Sequence, residues 1–239
     1  MEKAGAKGRG RKKEGKIMSL KIIVAGGLGA LGRAVCGHLS MHGHSVAAVD
    51  LAPAPDSSEY PTFGGVDLAD QAAVTTAYAR ATQALGGLDG VVNVAGGFLW
   101  ETVADGSIES WDRMYGMNLR TAAISSKAAL SHLSAGGAIV NVGAAAAADA
   151  AMGMAPYAAS KAGVTALTQG LADELRDKGI RVNAVLPTII DTPTNRHDMP
   201  EADTAAWVKP EAAAKVIAFL LSDESACVTG VGIKLSLAG

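Results

Sequence analysis

Ala25-Gly26-Gly27-Leu28-Gly29-Ala30-Leu31-Gly32 decides the fold of this chain. The apolar run Leu20 to Ala25 enters it and a helix-period run, Ala30 to Met41, leaves it, so the glycines stand at a strand-to-helix turn. Gly26, Gly29 and Gly32, spaced three apart, permit a tight turn and a close approach of backbone to ligand. They leave free N–H groups and the positive end of the helix dipole facing an anion such as a pyrophosphate. A glycine-rich turn alone also suits plain strand-to-helix packing. Here Asp50, eighteen residues after Gly32, ends a second strand pattern, Ser45-Val46-Ala47-Ala48-Val49-Asp50. A carboxylate at that place accepts hydrogen bonds from an adenosine ribose and repels a 2′-phosphate. The combination predicts a nicotinamide dinucleotide site that takes NAD in preference to NADP.

Beyond this unit, strand-like and helix-like runs alternate. Thr62 to Val66 reads as a weak third strand, Asp70 to Leu85 as a helix, Leu88 to Val94 as a strand and Ile108 to Leu133 as one long helix. Ala138 to Val142 (strand), Ala155 to Lys178 (helix), Ile180 to Leu186 (strand), Pro210 to Ser222 (helix) and Gly232 to Leu237 (strand) follow. That alternation predicts a single α/β domain over 18–239, a doubly wound, Rossmann-type parallel sheet flanked by helices. The stretch Pro187 to Lys209 has no clear period and reads as a lid over a substrate.

Composition narrows the class. Cys36 and Cys227 are the only cysteines, which excludes a disulfide framework and points to a reducing, cytoplasmic setting. No apolar run has the length of a membrane span; the alanine-rich stretch 137–154 is broken by Asn141 and Asp149. Residues 1–17 carry Lys3, Lys7, Arg9, Arg11, Lys12, Lys13 and Lys16 against Glu2 and Glu14, which leaves the remainder with 14 basic and 21 acidic side chains. The basic stretch has no aromatic residues and no hydrophobic period, so it reads as a disordered arm, and the acidic body argues against nucleic acid as a partner.

Chemistry is read from Pro156-Tyr157-Ala158-Ala159-Ser160-Lys161. Positions i and i+4 share a helix face, so the Lys161 ammonium is expected beside the Tyr157 phenol, holding its pKa below the usual value and fitting it for proton transfer.

With these motifs in order, the chain resembles the short-chain dehydrogenase/reductase family from Met18 to Gly239. The resemblance implies a catalytic Tyr157 and Lys161, with Asn118 of Met117-Asn118-Leu119 holding a water in a proton relay through the lysine. It implies cofactor contacts from Gly26, Gly29, Ala30, Leu31, Gly32 and Asp50, from Asp67 and Leu68, and from Asn93, Ala95 and Gly96 of Asn93-Val94-Ala95-Gly96. Tyr157 and Lys161 themselves, and Pro187, Ile190 and Thr192 of the Pro187–Thr192 segment, complete that set. Where the family has a serine, thirteen residues before the tyrosine, this chain has Ala144. The helices from Ile108 and Ala155 resemble those that pair between subunits, which implies a homodimer or homotetramer.

Within the family the closer resemblance is to the dihydropteridine reductases. It is carried by Val94-Ala95-Gly96-Gly97, by Trp111-Asp112 and Met114, by Ala144, and by Asp191-Thr192-Pro193, Asn195-Arg196, Met199-Pro200-Glu201-Ala202-Asp203 and Trp207 in the lid; Asn93 and Asn118 instead follow the wider family. It implies hydride transfer from NADH to a small conjugated substrate such as a quinonoid dihydropteridine, with Ala144, Trp100, Asn195 and His197 near that substrate. A generic carbonyl reductase or alcohol dehydrogenase is the alternative, and a dinucleotide-binding protein without turnover the third reading. His38, His42 and His44 read as solvated residues at a helix end and not as metal ligands; no metal is expected.

Overall fold

Along the strands the apolar residues run consecutively, and consecutive residues face opposite sides of a sheet, so both faces have to be covered. The computed structural model, which describes residues 19–236, shows how. Strands β1 (Lys21–Ala25), β2 (Ser45–Val49), β3 (Thr62–Phe63), β4 (Leu88–Asn93), β5 (Leu133–Val142), β6 (Arg181–Pro187) and β7 (Gly232–Leu235) form one parallel sheet in the order β3-β2-β1-β4-β5-β6-β7. Ile22 and Val24 of β1 pack with Val35 and Leu39 of α1 (Ala30–Met41) and with Ile217 and Leu220 of α7 (Pro210–Leu221). Ile23 and Ala25 face the other way, onto Val74 and Tyr78 of α2 (Gln71–Leu85) and Ile124 of α4 (Thr121–Ala129). Farther along that face, Leu171 and Ala172 of α5 (Ala155–Glu174) cover Ile139 and Val182. Each such aliphatic side chain contributes about 1.5–3 kcal/mol when fully buried. The strand order reverses direction between β1 and β4, and the crevice beyond their carboxyl ends is where this architecture binds ligands.

Local chemistry sets the element ends. Asp70 caps α2 by accepting from the Ala72 and Ala73 N–H groups, and Gly86, at φ +71, ends it in the left-handed conformation. The buried Arg181 guanidinium donates to the carbonyls of Leu220, Leu221 and Ser222 and to Ser225 Oγ, so a cation closes the carboxyl end of α7 against the sheet.

The structure corrects three expectations. The single helix Ile108 to Leu133 is α3 (Ile108–Met114), a π-helical stretch Tyr115–Arg120 and then α4, and it stops at Ala129. The side-chain-free Gly116 lies in the wide turn, and Thr121 Oγ1 bonds the Met117 carbonyl at 2.8 Å. Strand β5 begins at Leu133, paired with Leu88, and shifts register before Ala138; Gly136, at φ +82, lies in the shifted segment. The lid is partly regular: α6 (Pro193–Asp198) and a 3₁₀ turn, Thr204–Ala206. The arm over residues 1–17 lies outside the described residues, as does the end of the last strand expected at Leu237.

Among the described residues no helix is long and apolar enough to cross a membrane, and no group of three or more His, Cys, Asp or Glu side chains could hold a metal ion. The His38 and His42 rings meet tilted at 41° with centroids 4.2 Å apart, and His44 Nδ1 accepts from the Leu20 N–H.

Candidate active site

The glycine turn is built by exclusion. Gly26 has φ +83, its N–H bonds the Val49 carbonyl at 2.8 Å, and a Cβ on it would stand 2.5 Å from Ala95 N. A Cβ on Gly32 would collide with the Gly26 carbonyl oxygen, whereas at Gly29 the nearest atom would be 3.7 Å away. Thus Gly26 and Gly32 hold the turn closed while Gly29, which precedes α1 with no side-chain cap, leaves the first helical N–H groups facing outward. Asp50 Oδ2 accepts from the Leu28 N–H at 2.8 Å and Oδ1 from the Ala52 N–H at 2.9 Å, so the carboxylate is fixed at the edge of the turn.

These groups line a cavity of about 700 Å³. Of the predicted cofactor residues, Gly26, Gly29, Ala30, Leu31, Gly32, Asp50, Asp67, Leu68, Ala95, Gly96 and Thr192 lie on its wall. The spacing of the glycines gives three contacts that fit a dinucleotide: backbone exposed where a Cβ would fill the space, uncapped helix N–H groups, and a carboxylate at the far end. Arg113, Gly116, Met117 and Thr121 also line it, brought there by the π-helical turn, and Thr194 comes from the start of α6. Sequence reasoning missed them; only Gly116 marked the helix as irregular.

The other predicted cofactor residues, Asn93, Tyr157, Lys161, Pro187 and Ile190, do not line this cavity. The Asn93 side chain points into the core, donating to Ser126 Oγ at 3.0 Å and Asn141 Oδ1 at 2.7 Å and accepting from Ser125, which also meets the buried Tyr78 hydroxyl. It braces β4 against β5 and α4 beneath the site, because a buried amide takes whichever partners satisfy it. Pro187 pairs with Leu235 at the end of the sheet, and Ile190 bridges to Val208. Asn195 Nδ2 donates to the Ile190 carbonyl at 2.7 Å, an internal tie of the lid. His197 is 89% exposed, with its Nδ1 at 3.0 Å from Asp198 Oδ1. Trp100 lies against Gly153, where a Cβ would collide with its indole, and Glu101 N bonds the Gly153 carbonyl, so the segment after Gly97 is fastened just ahead of α5.

Tyr157 and Lys161 do share the inner face of α5 near its amino end. Lys161 is buried and its Nζ donates to the Val142 carbonyl at 2.8 Å; burial pulls its pKa down to about 8. Tyr157, with the Phe98 ring edge-on at 5.0 Å, is pushed up to about 12, again by burial. The expected depression of the tyrosine by the lysine is therefore reversed: loss of solvation outweighs a cation that is aimed at a carbonyl. Tyr157 is a neutral phenol at neutral pH, a proton donor. Between about 8 and the ordinary 10.5 the unfolded chain binds a proton at Lys161 that the folded chain lacks, so this group makes stability rise with pH. Between the ordinary 10.0 and about 12 the order inverts at Tyr157, and stability falls as pH rises.

Gly96 joins the two halves. It lines the cavity, and a Cβ on it would stand 2.5 Å from Asn118 Oδ1 and 3.2 Å from Lys161 Nζ. The buried Asn118 side chain accepts from Gly97 N–H at 2.9 Å and donates to the Gly97 carbonyl at 3.1 Å and to Ser160 Oγ at 3.0 Å. Ser160 in turn donates to the Tyr157 carbonyl at 2.7 Å, so Asn118 locks the strand β4 turn onto the helix that carries the tyrosine. Ala144, 2% exposed, follows β5 and offers only a methyl group.

Residues 27–235 match the family model described as enoyl-(acyl carrier protein) reductase. The (3R)-3-hydroxyacyl-CoA dehydrogenase of Mus musculus is 34% identical over 92% of this chain and 96% of its own length. The 2-(S)-hydroxypropyl-CoM dehydrogenase 3 of Xanthobacter autotrophicus is 32% identical over 87% of this chain and 92% of its own. A short-chain dehydrogenase of Burkholderia cenocepacia solved in complex with NADP superposes with a TM-score of 0.78 at 30% identity, covering 90% of this chain and 96% of that one. Fold, turn and relatives agree, and the chain belongs to the short-chain dehydrogenase/reductase family of NAD(P)-dependent oxidoreductases.

Proposed function

We propose that the protein is an NADH-dependent dehydrogenase/reductase that interconverts a hydroxyl and a carbonyl group on a small substrate. The observation that carries this reading is the position of Gly96, one backbone shared by the dinucleotide cavity and by the Asn118–Lys161 pair. The names of two relatives, a hydroxyacyl-CoA and a hydroxypropyl-CoM dehydrogenase, support the hydroxyl–carbonyl chemistry. The Asp50 carboxylate supports NADH, since a 2′-phosphate beside it meets like charge.

A nicotinamide held in this cavity would supply the hydride. The chain's own residues do the rest. Gly26, Gly29 and the first turn of α1 bind the pyrophosphate, and Asp50 and Leu68 border the adenosine end. Tyr157, neutral at neutral pH, gives its proton to the substrate oxygen, and the Lys161 ammonium stabilises the phenolate left behind. Because the lysine loses its charge through about pH 8 while Tyr157 keeps its proton, kcat/KM for reduction is expected to fall above about pH 8, measured in the free-enzyme pH profile.

One observation favours a second substrate class. A serine at position 144 would donate to the substrate oxygen, and loss of such a donor costs about 10²- to 10³-fold. The methyl of Ala144 suits a substrate in which little isolated alkoxide charge develops, such as a quinonoid dihydropteridine. NADH oxidation with a panel of ketones and aldehydes and with quinonoid dihydropteridine, for the wild type and Ala144→Ser, separates the two. Ketone turnover that rises about a hundredfold in Ala144→Ser is expected for the first class. Pteridine turnover without ketone turnover selects the second, and no NADH oxidation with any substrate overturns both.

A further inference from the structure

The lid between β6 and α7 is closed at its base by one carboxylate. Asp191, whose side chain is 9% exposed, receives Arg196 Nε at 2.5 Å and Nη2 at 2.9 Å, and on its second oxygen Lys209 Nζ as well. Arg196 lies on α6, five residues after Asp191, and Lys209 immediately precedes α7, so a carboxylate near the start of the loop is gripped from α6 and from the loop's far end. The backbone repeats the closure: Asp191 N donates to the Val208 carbonyl and Val208 N to the Ile189 carbonyl. Directly after the clasp, Thr192 accepts from the Asn195 N–H to start α6, and Thr192 and Thr194 are wall residues of the dinucleotide cavity.

We infer that Asp191 is a positioning residue for the dinucleotide: by holding Arg196 and Lys209 together it closes the base of the loop and sets Thr192 and Thr194 against the cofactor. This rests on the dinucleotide reading of the cavity. Exposed ion pairs contribute little on their own, but here the carboxylate is shielded, the arginine grip is bidentate, and removing the acid leaves its partners facing each other. Arg33 of α1 lines the same adjoining cavity of about 530 Å³ as Arg196, Lys209 and Glu211, so without Asp191 three cations share that space with one remaining acid. That cavity meets the dinucleotide cavity at Ala30 and Thr192, which is the path by which the clasp is felt. Hydrogen bonds from Arg196 and Lys209 hold the Asp191 carboxyl well below its usual range, and Asp191 in turn raises the Arg196 pKa, so the clasp stays charged across physiological pH.

The test is NADH binding, followed by fluorescence, together with trypsin cleavage after Arg196, for the wild type, Asp191→Asn, Asp191→Glu and the control Asp198→Asn, whose acid meets exposed His197. Asp191→Asn is expected to weaken NADH binding about tenfold or more and to speed cleavage to a similar degree, with an unchanged melting temperature, recovery in Asp191→Glu and no effect in the control. Wild-type affinity and cleavage rate in Asp191→Asn overturn the clasp. So does a loss of binding that only parallels a fall in melting temperature and is equal in Asp191→Glu, which marks a purely structural residue. Failure of the wild type itself to bind NADH overturns the reading of the cavity, and the positioning role with it.

Discussion

Tyr157→Phe is expected to lower turnover by about 10³-fold while leaving NADH affinity within about twofold of wild type, because it deletes a proton donor and little else. The ring is held by carbon contacts, with Phe98 edge-on at 5.0 Å, and a phenylalanine fills the same space. Lys161 keeps its bond to the Val142 carbonyl, and the Asn118–Ser160–Tyr157 backbone tie uses no side-chain atom of the tyrosine. Lys161→Met differs in kind: it removes a buried donor from Val142 and the cation next to Gly96, so both affinity and turnover suffer. Single-turnover rates and fluorescence titration of NADH on the Phe variant check this. An unchanged rate points to a dinucleotide-binding protein in which the tyrosine has no chemical role.

Gly32→Ala is expected to abolish NADH binding in the titration and to destabilise the fold by about 1–3 kcal/mol in urea unfolding, though only one methyl group is added. That methyl runs into the Gly26 carbonyl oxygen, and Gly26 cannot give way because its own position is wedged against the Ala95 backbone at the end of β4. The turn must open, and with it the path from Val49 through Gly26 to α1. Gly29→Ala is the matched control, since its Cβ meets nothing closer than 3.7 Å and leaves the folding energy near wild type.

Much of the fold is legible because its punctuation is local. Helix α1 spans Ala30–Met41 as its period predicts, since glycines stand before it and Gly43 follows it. The face that carries Tyr157 and Lys161 is legible too, because four residues on a helix fix where the two point relative to each other. Their acidities are not legible: the enclosing elements come from distant parts of the chain, and only in three dimensions does burial exceed charge. The partners of the Asn93 side chain are not legible for the same reason: its amide finds Asn141 on the next strand. The π-helical turn leaves the apolar pattern of Ile108 to Ala129 intact, so a change of backbone period there has no sequence mark beyond Gly116. The Asp191 clasp lies in the one segment without a period, and its partners at positions 196 and 209 meet only after the lid folds back.

The central claim is that this site moves a hydride from a bound nicotinamide and a proton from Tyr157. Deuterium transfer from NADH deuterated at both C4 hydrogens of the nicotinamide, followed by mass spectrometry of the reduced product across a ketone and aldehyde panel, measures it; with a quinonoid pteridine, whose added hydrogens exchange with water, the readout is the deuterium isotope effect on NADH oxidation. The account predicts labelled product with the wild type and about a thousandth of that initial rate with Tyr157→Phe. Unlabelled product, or a rate that does not change on loss of the phenol, contradicts it.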